Sequence, residues 1–160
     1  MLRHLQPLLA VALSVTMIAE APAIAQTDNG QAWVSRQFQA PGGETLCSAM
    51  LVDPTNATLN TAVHWVFNDA RRDALPTGYL SVHPDAGVAD TTIVVDGVRR
   101  FALAPGPDGF VYMDPADAAG LWAALRGGLA AEIAGPAGGL PISLIGFTAA
   151  TNQARAACGP

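Results

Sequence analysis

The residues with the right types for chemistry are few. Ser81-Val82-His83-Pro84-Asp85 brings a Ser, a His and an Asp together, the side chains that can serve as nucleophile, base and orienting carboxylate. A triad is a geometry in space, however, and no G-x-S-x-G elbow is present, so the segment reads as a loop. His64 falls on the polar face of a strand pattern and reads as a solvent-exposed imidazole. H-E-x-x-H, C-x-x-C and calcium-loop patterns are missing, so no metal or other cofactor is expected. Asp53, Asp69, Asp73, Asp85, Asp90, Asp96 and Asp108 are scattered, mostly beside Gly, Pro or Asn, where Asp serves turns by bonding to local backbone. Gly135-Pro136-Ala137-Gly138-Gly139 lacks the phosphate-cradling pattern, and the chain has no Lys to complete one.

The two cysteines, Cys47 and Cys158, carry the firmest chemical expectation. An isolated, even pair fits a disulfide in an oxidising compartment. Closing that loop would stabilise by up to about 4–5 kcal/mol on the chain-entropy model. The compartment is indicated by the first 25 residues. Arg3 and His4 precede an apolar run from Leu5 to Ile18, and small residues end in Ala23-Ile24-Ala25 ahead of Gln26. These are the n-region, h-region and A-x-A site of a secretory signal. The apolar run is shorter than the ~20 residues a spanning helix needs. Residues 1–25 are therefore expected to be removed, with no membrane span left in the exported chain. Cys47 is too far from the cut to be a lipoprotein acylation site, so no lipid anchor is expected either. The protein is expected in the periplasm or outside the cell.

Removing 25 of 160 residues leaves 135, the size of one domain, covering 26–160. The exported chain would keep seven arginines and twelve acidic residues, a net charge of −5. Such a chain lacks the basic footprint of nucleic-acid or anionic-lipid binding. Its paired bases, Arg71-Arg72 and Arg99-Arg100, each have an Asp nearby (Asp69, Asp73, Asp96) and read as solvated surface.

The elements that must position these residues are mostly strands. Ala32–Phe38 and Thr45–Val52 flank a Pro41-Gly42-Gly43 turn. Leu59, Thr61, Val63, Trp65 and Phe67 alternate with polar residues, which predicts one half-buried strand over 59–67. Tyr79–Val82 is a short strand, and Thr91–Val95 and Val98–Leu103 flank Asp96-Gly97, a hairpin signal of the type I′ kind. After a loop at Pro105 to Gly109 comes a strand over Phe110–Met113. Asp114 caps a helix over 114–126, with Pro115 first and Ala118, Leu121, Trp122 and Leu125 on one face. Gly127-Gly128 is expected to end it in a left-handed conformation. Leu129–Ala134 and Leu140–Ile145 predict two further strands, and Thr148–Ala157 a short C-terminal helix. The fold class is β-rich α+β: an antiparallel β-sandwich-like core with one packed helix and a short terminal one.

Leu140-Pro141-Ile142-Ser143-Leu144-Ile145-Gly146-Phe147-Thr148-Ala149-Ala150 resembles the terminal segment of the invasion-associated locus B proteins, small exported proteobacterial proteins. Leu121 to Gly128 resembles the helix that precedes that segment, and Trp33 followed by Cys47 fits the general plan. The ending Ala156-Ala157-Cys158-Gly159 departs from it and looks more like periplasmic accessory proteins of secretion systems. The resemblance implies a β-sandwich-like envelope module and carries over no catalytic residue.

The expected function is therefore binding or structural support in a bacterial envelope, without catalysis and toward an unidentified envelope or host protein. Trp33, Tyr79, His83 and the loop 105–109 are the candidate binding surface; Trp65 and Trp122 lie on apolar faces and read as core. Two rivals are an inhibitor of a cationic hydrolase such as lysozyme or a peptidase, which an acidic domain suits through steering, and a small hydrolase using Ser81 or His83.

Overall fold

A computed structural model describes residues 30–40, 42–68, 76–83, 91–106, 108–135 and 138–158. The leader-like segment 1–25, Arg71-Arg72 and Asp85 lie outside the described residues. Among the described residues nine antiparallel strands follow one another: β1 (Ala32–Gln39), β2 (Thr45–Val52), β3 (Val63–Asn68), β4 (Tyr79–Val82), β5 (Thr91–Val95), β6 (Arg99–Pro105), β7 (Val111–Met113), β8 (Ala130–Gly135) and β9 (Gly138–Ser143). One turn of 3-10 helix at Pro115–Asp117 leads into α1 (Ala118–Gly127), and α2 (Phe147–Ala157) closes the described chain. The class is β-rich α+β, as the strand spacing predicts.

All nine strands belong to one open sheet, in the order β1-β2-β3-β4-β7-β6-β5-β8-β9. Its two ends approach each other without forming a ladder. Gln31 Nε2 donates to Pro141 O at 2.9 Å, Ser143 N donates to Gln31 Oε1 at 2.7 Å, and Trp33 Nε1 donates to Ser143 O at 2.7 Å. Side chains from the β1 end thus satisfy edge groups of β9 that would otherwise be open to strand addition.

The concave face holds the core. Alternate residues of each strand point into it, among them Leu51, Trp65, Leu80, Val82, Ile93, Val95, Val111 and Ile133. α1 buries Ala118, Leu121, Trp122, Ala124 and Leu125 against it. The sequence places that helix correctly: Asp114 accepts from Ala116 N at 2.8 Å, as a cap should. Its end differs from expectation. Gly128 is extended (φ −87°, ψ 166°), not left-handed. Glycine is needed there for space: a Cβ would stand 2.8 Å from Val95 Cγ1.

α2 contributes Phe147, Ala150, Thr151 and Ala154, all buried. The Phe147 ring meets Trp33 edge-on at 4.9 Å, Trp65 at 6.0 Å and Trp122 at 5.9 Å, so three tryptophans from distant segments surround one phenylalanine. The disulfide Cys47–Cys158, spanning 111 positions, ties the end of α2 to β2. The expected pairing of the two cysteines is present.

Two further expectations are corrected. The strand read over 59–67 begins only at Val63. Asp53 and Asn56 divert the chain first: Asp53 Oδ1 accepts from Thr55 N and Asn56 N at 3.1 and 3.0 Å, and Asn56 Oδ1 accepts from Thr58 N at 3.1 Å. These turns put Thr61 at a φ of 63°, exposed, although Leu59 is buried as its apolar character requires. The Asp96-Gly97 hairpin has the positive φ expected at both residues (49° and 70°), but Val95 pairs with Arg99, so Val98 is a third loop residue.

Candidate functional site

On the convex face, away from the helices, β4 and β7 lie side by side with Ser81 opposite Tyr112 and Val82 opposite Val111. Because β4 alternates, burying Leu80 and Val82 turns Tyr79 and Ser81 outward. The entry to β4 depends on Gly78 (φ 77°), where a Cβ would stand 2.5 Å from Val66 O and 2.8 Å from Trp65 Nε1. That close approach lets Trp65 Nε1 donate to Thr77 O at 2.8 Å.

Four rings assemble there. Tyr79 and Tyr112 have centroids 6.1 Å apart, Tyr112 and Phe110 6.4 Å, and Phe110 and His83 5.0 Å in an edge-to-face contact. All four residues are half-buried, with surface still open to solvent. The loop preceding β7 supports them. Gly106 N donates to Phe110 O at 2.6 Å and Phe110 N to Asp108 Oδ1 at 3.1 Å. A Cβ on Gly106 would stand 2.5 Å from Tyr112 Cε2, so the bare glycine is what lets the ring lie over the loop.

The structure therefore joins Tyr79, His83 and the loop 105–109 from the sequence-predicted surface, and adds Phe110 and Tyr112. Pro107 of that loop lies outside the described residues. Trp33 does not belong with them. It is 5% exposed, packed on Phe147, with its indole N–H committed to Ser143. It is buried because β9 and α2, more than 100 residues later, come back to it.

The chemistry of this face is hydrogen bonding. Tyr112 Oη donates to Asp108 Oδ2 at 2.6 Å and also bonds Ser81. Since the phenol proton points at the carboxylate, the Ser81 hydroxyl donates to Tyr112. Burial, then the bond to Asp108 and its negative charge, push the Tyr112 hydroxyl up to about 12. It stays protonated throughout the physiological range and is a poor base. Ser81 is buried beneath it and stands directly opposite His64 in the β3–β4 pairing, so the two side chains share this face.

Sequence reasoning missed a second polar pair. His64 is half-buried, not freely exposed: Nε2 bonds Thr61 O at 2.8 Å and Nδ1 lies 3.4 Å from Ser48 Oγ. The carbonyl partner requires the proton on Nε2, leaving Nδ1 as acceptor. Burial, and to a smaller degree the neighbouring His83, hold the imidazole below its ordinary value, although the bond to Thr61 works the other way. A serine beside an oriented, neutral histidine has the composition of a nucleophile and base. Ser48 is completely buried, however, so no substrate reaches it and the pair acts as a packed polar contact.

Among the described residues no three His, Cys, Asp or Glu side chains converge as metal ligands, and no helix is long and apolar enough to cross a membrane. What the convex face presents is a patch of ring surface and edges, a carboxylate and hydroxyls, held by strand pairing and a tight loop. Such a surface can recognise a partner. No family model, curated protein or solved structure matches the chain.

Proposed function

We propose that this protein is a non-catalytic, exported binding module of a bacterial envelope, working in the periplasm or outside the cell. The patch of Tyr79, His83, Phe110 and Tyr112 is its contact surface. The carrying observation is that these four partly exposed rings adjoin one another in a row, with the Asp108 carboxylate bonded to Tyr112, on the face opposite the buried Leu80 and Val82. Aromatic side chains dominate interface energetics because they bury much area for little lost rotamer freedom. The leader pattern in residues 1–25 supports export, and the Cys47–Cys158 bridge is compatible with it. The resemblance of Leu140–Ala150 to the invasion-associated locus B proteins points to the same compartment. Against a hydrolase reading stand the burial of Ser81 and Ser48 and the protonated phenol over Ser81.

The test is photo-crosslinking in living cells. A benzophenone side chain replacing Tyr79 is expected to give a discrete covalent adduct. The same group at the exposed Asn152 of α2 should give none. Absence of an adduct from position 79, or the same adduct from both positions, would refute the reading.

The Asp108 carboxylate among the rings and the net charge of −5 favour one second reading, inhibition of a cationic hydrolase. A lysozyme assay decides it: no inhibition at micromolar protein removes that enzyme as the target.

A further inference from the structure

Beyond the aromatic patch, strands β6, β5, β8 and β9 carry a row of outward residues. Val94 of β5 pairs with Arg100 of β6 on one side and with Glu132 of β8 on the other, and Glu132 pairs with Pro141 of β9. Their strand neighbours Ile93, Val95, Ile133 and Ile142 are buried in the core, so alternation turns the whole row to the opposite face. The row lines a recess of about 430 Å³, with Asp96 and Ala134 beside it.

The recess has an apolar floor between opposite charges. Val94 faces outward yet is only 7% exposed, between the Arg100 and Glu132 strands. Arg100 and Glu132 are both exposed, and neither forms an ion pair or a side-chain hydrogen bond with another described residue. With β5 between them, two inter-strand spacings of about 4.8 Å hold the two residues apart. Glu132 also leans to the side away from Arg100. A Cβ on Gly139 of β9 would collide with its Oε1, Cδ and Cγ, so the carboxylate lies over that bare glycine. Asp96 adds a second carboxylate, whose Oδ1 already accepts from Leu129 N and Ala130 N at 2.9 and 3.1 Å.

This arrangement selects its ligand by charge. A simple anion would reach Arg100 but face two carboxylates, and a simple cation would be repelled by Arg100. A molecule bearing both charges satisfies both sides. Charge-assisted hydrogen bonds of about 2.8 Å at each end leave about 4 Å between the ligand's own charges. That is the span of an α-amino acid, and the outward lean of Glu132 makes room for a dipeptide. We propose that this recess binds a small zwitterion of the amino-acid class, with its carboxylate on Arg100, its ammonium on Glu132 and its apolar part on Val94 and Pro141. Binding there needs neither the aromatic patch nor its partner.

Amide chemical shifts of the isotope-labelled exported chain test this at pH 7, with L-leucine and L-alanyl-L-leucine each titrated to about 20 mM, past a millimolar Kd. Each is compared with its N-acetyl form, which lacks the ammonium, and with its C-terminal amide, which lacks the carboxylate. Saturable shifts are expected at Val94, Arg100, Glu132 and Ala134 with at least one of the two zwitterions, and both of its blocked forms should bind about tenfold more weakly or worse. Arg100→Gln should erase the preference over the amide, and Glu132→Gln the preference over the N-acetyl form. A general loss of folding would not give that crossed pattern, and the comparison of ligands on the wild type stands without the variants. Tyr79→Ala should bind as the wild type does. No saturable shift with either zwitterion, equal binding of a blocked form, or variants that keep both preferences would overturn the proposal.

Discussion

Removing the Asp53 carboxylate should loosen the sheet where its two ends meet. Asp53 is buried and accepts four hydrogen bonds: from Gln31 Nε2 (2.8 Å), Thr55 Oγ1 (2.7 Å), Thr55 N (3.1 Å) and Asn56 N (3.0 Å). Gln31 in turn holds Pro141 O and Ser143 N of β9. One carboxylate therefore shapes the turn after β2 and orients the amide that bridges β1 to β9. Hydrogen bonds to an ionised group contribute roughly 1.5–3 kcal/mol each. The turn N–H groups can find water once the carboxylate is gone, whereas the buried Gln31 amide loses its aim. Asp53→Ala is accordingly expected to lower the unfolding free energy by about 2–4 kcal/mol at pH 7, and Asp53→Asn by less, since one acceptor oxygen remains. Urea unfolding measures this, and amide exchange at Leu140 to Ser143 should quicken in Asp53→Ala.

The pH dependence supplies a second check. Burial opposes the Asp53 charge, but the bonds from Gln31, Thr55 and Asn56 outweigh it and hold the carboxyl below its ordinary value. The folded state therefore binds the proton less readily than the unfolded one. The stabilisation is fully present above the unfolded value of about 3.9 and is lost as pH falls through the folded one. The gap between wild type and Asp53→Ala should narrow below about pH 4. An Asp53→Ala protein within about 0.5 kcal/mol of wild type at pH 7, about the size of a neutral surface change, would refute the reasoning.

Three further outcomes follow from other parts of the fold. Replacing Cys47 and Cys158 by Ser should reduce stability in urea by up to about 4–5 kcal/mol, the chain-entropy value for a loop of 111 positions; a loss near zero would mean the bridge adds nothing to the packing of α2. Phe147→Ala should lower stability by about 3–5 kcal/mol and shift tryptophan emission, since the ring touches Trp33, Trp65 and Trp122. His64 is held below its ordinary value mainly by burial, so it favours the folded state when neutral. Stability should fall as pH drops below about 6.5, and His64→Gln should flatten that slope in urea titrations run from pH 7 to 5.

The sequence was readable where local rules decide the outcome. Asp114 and Pro115 specify a helix start by capping chemistry, and Asp96-Gly97 specifies a turn because both tolerate positive φ. β2 and β4 match their predicted limits because apolar runs bounded by turn residues leave little freedom. Residues 59–62 misled because Leu59, Thr61 and Val63 imitate a strand's alternation, while the Asx turns of Asp53 and Asn56 had already committed the backbone. Trp33 seemed available because its neighbours in sequence do not cover it; the covering group, Phe147, arrives from α2. The candidate contact surface was half legible for the same reason. Tyr79 stands on β4 and His83 just past its end, but Phe110 and Tyr112 join them only through the β4–β7 pairing, which no local pattern announces.

Export and a closed disulfide are tested together by one measurement: the intact mass of the chain recovered from the periplasm or medium, alkylated with and without prior reduction. The expected result is a chain beginning at Gln26 that takes up no alkyl group unless reduced and two afterwards. A chain that keeps residues 1–25, or one with two thiols already free, would contradict it and remove the compartment on which the binding-module reading depends.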